Sequence, residues 1–130
     1  MPSHRILQIN ALATAACGAA MLAARGVLPG LFGLGTPYLL DGVALGLLAY
    51  AAALWVVAAR APVSRRALLV FTAADALWVG ASVLVLLLFW DQLAPVARTL
   101  VIAVGLAVDA FATLQYLAAR AVAPARPLLT

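Results

Sequence analysis

"ALLVFTAADALWVGASVLVLLLFW", Ala67 to Trp90, runs for twenty-four residues with a single ionisable group, Asp75. A helix of about 20 apolar residues crosses the roughly 30 Å hydrocarbon core of a bilayer, so the stretch reads as a transmembrane helix. Three more runs have the same character, at residues 6–24, 39–59 and 96–119. The chain as a whole agrees: 68% of its 130 residues are hydrophobic and 9% are charged, against about 45–50% and 25% in ordinary globular domains. The expected fold is an all-α membrane protein with a single transmembrane domain over residues 1–130. The links between spans are short, which predicts antiparallel neighbours in a four-helix bundle running up-down-up-down.

The chemistry excludes a good deal. One cysteine, Cys17, and one histidine, His4, allow neither an internal disulfide nor a Cys/His metal cage. No Ser/His/Asp set, phosphate-cradling glycine loop or haem-attachment motif occurs, so no enzymatic activity, metal or cofactor is expected. A pI near 10.2 would suggest nucleic acid in a soluble chain, but here the arginines flank apolar segments and act as topology signals. The expected partner is therefore the lipid bilayer and not nucleic acid. All basic residues but His4 are Arg, all acidic ones are Asp, and Ala, Gly and Pro are abundant; that bias suggests a GC-rich bacterial genome, and with it the bacterial cytoplasmic (inner) membrane.

Basic residues in short flanks stay cytoplasmic. Arg5, Arg60, Arg65, Arg66, Arg120 and Arg126 fall on one side of the predicted spans, and Arg25 and Arg98 on the other, which places both termini in the cytoplasm. His4 and Arg5 followed by an apolar stretch and small residues also fit a secretory signal, whose cleavage would leave three spans. Residues 26–37, "GVLPGLFGLGTP", are too apolar for an exposed loop and too rich in Gly and Pro to continue a helix. They read either as a hairpin in the outer headgroup region or as a re-entrant segment lining a cavity.

Depth can be measured from the Arg that closes each span. At about 1.5 Å per residue, Thr14, Tyr50, Asp75 and Asp109 each lie about 13 to 16 Å in, so every helix contributes one polar group to a midplane layer. These four are the candidate proton- or ligand-binding residues, with Asn10, Thr72, Ser82, Thr113 and Gln115 as secondary polar candidates. Intramembrane polar side chains almost always face the bundle or a cavity. The stripes Asn10, Thr14, Cys17, Met21 on the first helix, Thr72, Asp75, Ser82 on the third, and Arg98, Gly105, Asp109, Thr113, Tyr116, Arg120 on the fourth are thus expected to turn inward. No basic residue reaches that depth, so Asp75 and Asp109 are expected to form either polar glue between helices or a protonatable site. Small residues mark close helix contacts in lipid, which singles out Gly42, Gly46, Gly80 and Gly105, above all the Gly42/Gly46 pair, within the bundle or between protomers.

Gly42-x-x-Leu45-Gly46-Leu47 on the second helix and Asp75-x-x-Trp78-Val79-x-x-Ser82 on the third resemble small four-helix bacterial integral membrane proteins. The resemblance covers most of the chain, rests on short motifs and implies no particular activity. Two functional readings follow. The first is a self-associating scaffold or accessory subunit, a homo-oligomer or part of a larger membrane complex, whose polar layer fixes helix register. The alternative is a small proton-coupled transporter or channel using Asp75 and Asp109.

Overall fold

The computed structural model describes residues 2–60 and 62–122. Within them the chain is all helix and connection. The elements are α1 (Ser3–Ala23), α2 (Leu28–Leu31), α3 (Tyr38–Ala59), α4 (Arg65–Phe89) and α5 (Pro95–Ala121), with a 3-10 turn at Trp90–Gln92 joining the last two. Four of these, α1, α3, α4 and α5, are long and apolar enough to cross a membrane, as expected of a small membrane protein. Each long helix overruns its apolar stretch by a residue or more at one end at least, and the flanking residues explain this for α4 and α5. The Ser64 side chain accepts a hydrogen bond from the Ala67 N–H at 3.1 Å and starts α4 ahead of its two arginines. Pro95 begins α5 at a position where its missing N–H costs nothing.

α1 packs along α3 and α4 along α5, and α1 also touches α5. The first pair meets at Gly18, where an added Cβ would lie 2.9 Å from the Ala44 carbonyl oxygen. Side chains of Leu7 and Ala11 on α1, Leu54 and Ala58 on α3, Leu68 and Phe71 on α4, and Ala119 on α5 gather into a dry core. That core lies toward the start of α1 and the end of α5. At the other end, the α1–α3 connection closes onto the α4–α5 turn: the Ala94 N–H donates to the Leu31 carbonyl at 2.9 Å, and Leu28 and Leu93 are buried. Residues 26–37 therefore include a helical turn docked on the neighbouring connection, and none of them lines the central cavity described below.

Gly33 makes that docking possible. Its φ is +71°, and a Cβ there would come within 2.9 Å of the Gln92 carbonyl oxygen. Gly33→Ala is expected to cost about 1–3 kcal/mol through backbone strain and the clash, read as faster proteolysis within residues 26–37 and a lower unfolding midpoint. An unchanged midpoint would mean that the two connections are not clasped.

The outer surface is apolar to an extent that water does not tolerate: Leu77, Leu87 and Leu88 on α4 are 75%, 74% and 69% exposed. Arg25 Nε donates to Asp41 Oδ2 at 2.8 Å, and Arg98 lies 4.4 Å over the Trp90 ring while its Nε donates to the Trp90 carbonyl. The Arg25–Asp41 pair is partly exposed and contributes no more than about 1 kcal/mol.

Candidate functional site

Among the described residues the buried polar side chains are Asn10 at 2% exposure, Asp75 at 4% and Gln115 at 0%. They come from α1, α4 and α5, and they bond to one another. Asn10 uses both N–H groups, one to Asp75 Oδ2 at 3.0 Å and one to Gln115 Oε1 at 2.8 Å. Gln115 Nε2 donates to the same Asp75 oxygen at 3.0 Å, and Thr14 Oγ1 donates to Asn10 Oδ1 at 3.0 Å. α3 joins through Tyr50, whose hydroxyl donates to Asp75 Oδ1 at 2.8 Å and stands 3.3 Å from the Phe71 carbonyl oxygen. The Tyr50 ring is held edge-on against Phe71 with centroids 5.8 Å apart. One carboxylate thus ties all four long helices together, with three neutral donors and no arginine.

This geometry limits where a proton can sit. Asp75 Oδ2 already accepts from two amides, so an added proton goes to Oδ1. The protonated carboxyl would then donate to Tyr50, and the Tyr50 hydroxyl hydrogen would turn to the Phe71 carbonyl. Both protonation states keep every member bonded without moving a heavy atom.

Above the cluster the helices separate around a cavity of about 380 Å³. Asn10, Thr14, Tyr50 and Asp75 supply its polar lining, and the rest is apolar, including Leu47, Val108 and Phe111. Trp78 lines the same space, and its indole N–H is buried with no acceptor among the described residues. The site therefore combines an apolar chamber, a fully bonded carboxylate at one side and one unused donor.

Of the four residues placed in the midplane layer, Thr14, Tyr50 and Asp75 come together and Asp109 does not. Asp109 is exposed on the outside of α5. Most of the expected inward stripe of α5 is turned out as well: Thr113, Tyr116 and Arg120 are exposed, Arg98 and Gly105 are half-buried, and Ala97, Ala112, Gln115 and Ala119 face the bundle. The physical reason is packing, since the alanines let α5 approach its neighbours closely and Gln115 supplies the one polar group that the Asp75 cluster needs. Insertion scales charge about 2.5–3.5 kcal/mol for an Asp at the centre of a membrane helix, and Asp109 has no side-chain partner among the described residues to offset it.

The hydroxyls of Thr72, Ser82 and Thr113 each donate to the carbonyl four residues earlier, on Leu68, Trp78 and Asp109. They satisfy themselves within their own helices. Gly42, Gly46 and Gly80 have open space where a Cβ would go, although Gly46 borders the cavity, and a Cβ on Gly105 would lie 3.8 Å from the Ser82 Cβ, an ordinary contact. The close approach inside the chain is at Gly18 instead.

No protein-family model, curated protein or solved structure matches the chain.

Proposed function

We propose that the protein works as a small proton-coupled carrier in a membrane, with Asp75 as its proton-binding group and the adjoining cavity as the chamber for what it moves. The observation that supports this most is the Tyr50 hydroxyl between Asp75 Oδ1 and the Phe71 carbonyl, because it lets the cluster take up and release a proton without breaking. A group used only as glue has no need of a cavity beside it, where packed side chains would stabilise the bundle more. In this reading Tyr50 turns its hydroxyl hydrogen to accommodate the proton on Asp75, Asn10 and Gln115 hold the carboxylate, and Thr14 orients Asn10. Asp109 has no part in the chamber. The arginine distribution and the meeting of both connections at one end support an up-down-up-down bundle with both termini in the cytoplasm.

A second reading is a self-associating scaffold or accessory subunit, favoured by the way one satisfied cluster joins all four long helices. Neither reading involves catalysis or a cofactor. pH-difference infrared spectra of the protein in lipid vesicles separate them. The carrier predicts a protonated-carboxyl C=O band that grows as the pH falls, disappears in Asp75→Asn and survives in Asp109→Asn. If no titrating band is sensitive to Asp75→Asn anywhere in the accessible pH range, its proton never leaves or never arrives, and the scaffold reading stands.

A further inference from the structure

The chamber is confined to the middle of the helices. Its lining falls within residues 10–17 of α1, 43–50 of α3, 74–78 of α4 and 104–111 of α5, a slab about 10 Å tall. The dry core lies beyond it on the side of the Asp75 cluster, and the connections clasped at Leu31 and Ala94 lie beyond it on the other. The sides are different. Ala13, Gly46 and Ala107 line the chamber and are exposed at the same time, because the α1–α3 and α4–α5 pairs pack along their own lengths and meet one another less. Counted from Arg5, Arg60 and Arg120, the three lie about 12, 21 and 20 Å in, within a hydrocarbon core of about 30 Å. The openings therefore face acyl chains, and what enters by them comes from lipid.

The lining also defines what it can hold. The side-chain donors of Asn10, Thr14 and Tyr50 are all spent inside the cluster. Asp75 accepts from Asn10, Tyr50 and Gln115, which fills most of the roughly four acceptor positions of a carboxylate. One strong donor is left in the lining, the Trp78 indole N–H, buried and without an acceptor among the described residues. Leaving such a donor unpaired in apolar surroundings is unfavourable, and an occupant with an acceptor oxygen relieves it. A chamber of about 380 Å³ takes about a dozen non-hydrogen atoms at roughly 30 Å³ for each water-sized group.

We propose that the chamber binds a neutral, lipid-soluble molecule of that size, with a carbonyl-type oxygen accepting from Trp78 Nε1 and an apolar body against Leu47, Val108 and Phe111. The inference rests on the carrier reading for why such a molecule is held, and it names the class of what is carried. A cation fits less well, because the one carboxylate of the lining is already engaged by three donors and most of the remaining wall is hydrocarbon. A water-soluble polar molecule fits less well again, since it would have to cross acyl chains to reach the openings.

The test is equilibrium binding of radiolabelled p-bromoacetophenone to the full chain in lipid nanodiscs, with empty nanodiscs subtracted and concentrations referred to the lipid phase. 1-Bromo-4-ethylbenzene, nearly the same shape without the oxygen, is the comparison. The ketone should saturate and bind about three- to thirtyfold more tightly than the oxygen-free analogue, the range of one hydrogen bond between groups in lipid. Trp78→Phe should bring the two affinities together, whatever the smaller ring does to each alone. Val108→Trp, which fills the chamber, should weaken both. Uptake no greater than by empty nanodiscs would overturn the proposal, as would equal affinity for the two compounds with no response to Trp78→Phe. Tighter binding of p-bromobenzylammonium than of the ketone would also overturn it, by making the chamber a cation site. The carrier reading is judged separately by the infrared band of Asp75. A titrating band without ketone binding keeps the carrier and removes this ligand class, and ketone binding without a titrating band removes the proton coupling and keeps the chamber's ligand.

Discussion

Asp75→Ala is expected to destabilise the bundle by about 3 kcal/mol or more, the largest loss from any single polar side chain. Removing the carboxylate leaves donors on Asn10, Gln115 and Tyr50 without their acceptor, and a buried donor left unpaired costs about 1–3 kcal/mol. Tyr50 recovers part of this by turning to the Phe71 carbonyl, so the deficit falls mainly on the two amides. Asp75→Asn behaves differently. Its carbonyl oxygen can take the place of Oδ2 and its amide can donate to Tyr50, which is the bonding pattern of the protonated acid. The Asn variant should therefore lose about 1 kcal/mol or less, and reversible unfolding in mixed micelles would show the gap. Equal losses for Ala and Asn would mean that the cluster is not hydrogen-bonded in lipid. A cycle with Gln115→Leu should also return a coupling energy of about 0.5–3 kcal/mol with Asp75.

The contrast between Asp75 and Asp109 shows what the sequence made legible and what it did not. Hydrophobic length fixes where helices lie, and the four expected spans agree with α1, α3, α4 and α5 to within about three residues at each end. Counting from the closing arginines gives depth, and Thr14, Tyr50 and Asp75, placed at one level, share one hydrogen-bond network. Depth carries no azimuth. On α1 and α4 the polar stripe and the packing face coincide, so Asn10 and Asp75 turned in as expected. On α5 they are separate: the polar stripe is Asp109, Thr113, Tyr116 and Arg120, while the small residues lie around Gln115. The rule that polar residues face inward misread that helix because its small residues, and not its polar stripe, form the packing face. A usable signal was present in Gly105, Ala112 and Ala119, spaced by seven with Gln115 among them, a small-residue face of the kind membrane helices bury. The docking of Leu28–Leu31 on the α4–α5 turn had no such signal, because it depends on backbone bonds between segments far apart in the chain.

Gly18→Val is expected to separate α1 from α3 and to be the most damaging change on the apolar side of the fold. A Cβ at position 18 would meet the Ala44 carbonyl oxygen at 2.9 Å and the Leu48 Cγ at 3.1 Å. Leu48 can shift its side chain, but the carbonyl belongs to the α3 backbone, so relief requires moving a whole helix. Gly18→Ala should cost about 1–3 kcal/mol, the usual range for overpacking, and the branched Val more. Gly42→Ala and Gly46→Ala meet nothing within 4 Å, so a monomer should be unaffected or gain roughly 0.5–1 kcal/mol of helix propensity. The glycine pair that looks like a packing motif would then be silent, and the solitary glycine would be critical. The consequence reaches the cavity, because Cys17 lines it and adjoins Gly18 in the chain. Opening the α1–α3 contact should speed the labelling of Cys17 by a membrane-permeant maleimide, alongside a lower unfolding free energy. Unchanged stability and labelling in Gly18→Val, with losses in Gly42→Ala, would place the α1–α3 contact on the other face of α3 and dismantle the cavity as described.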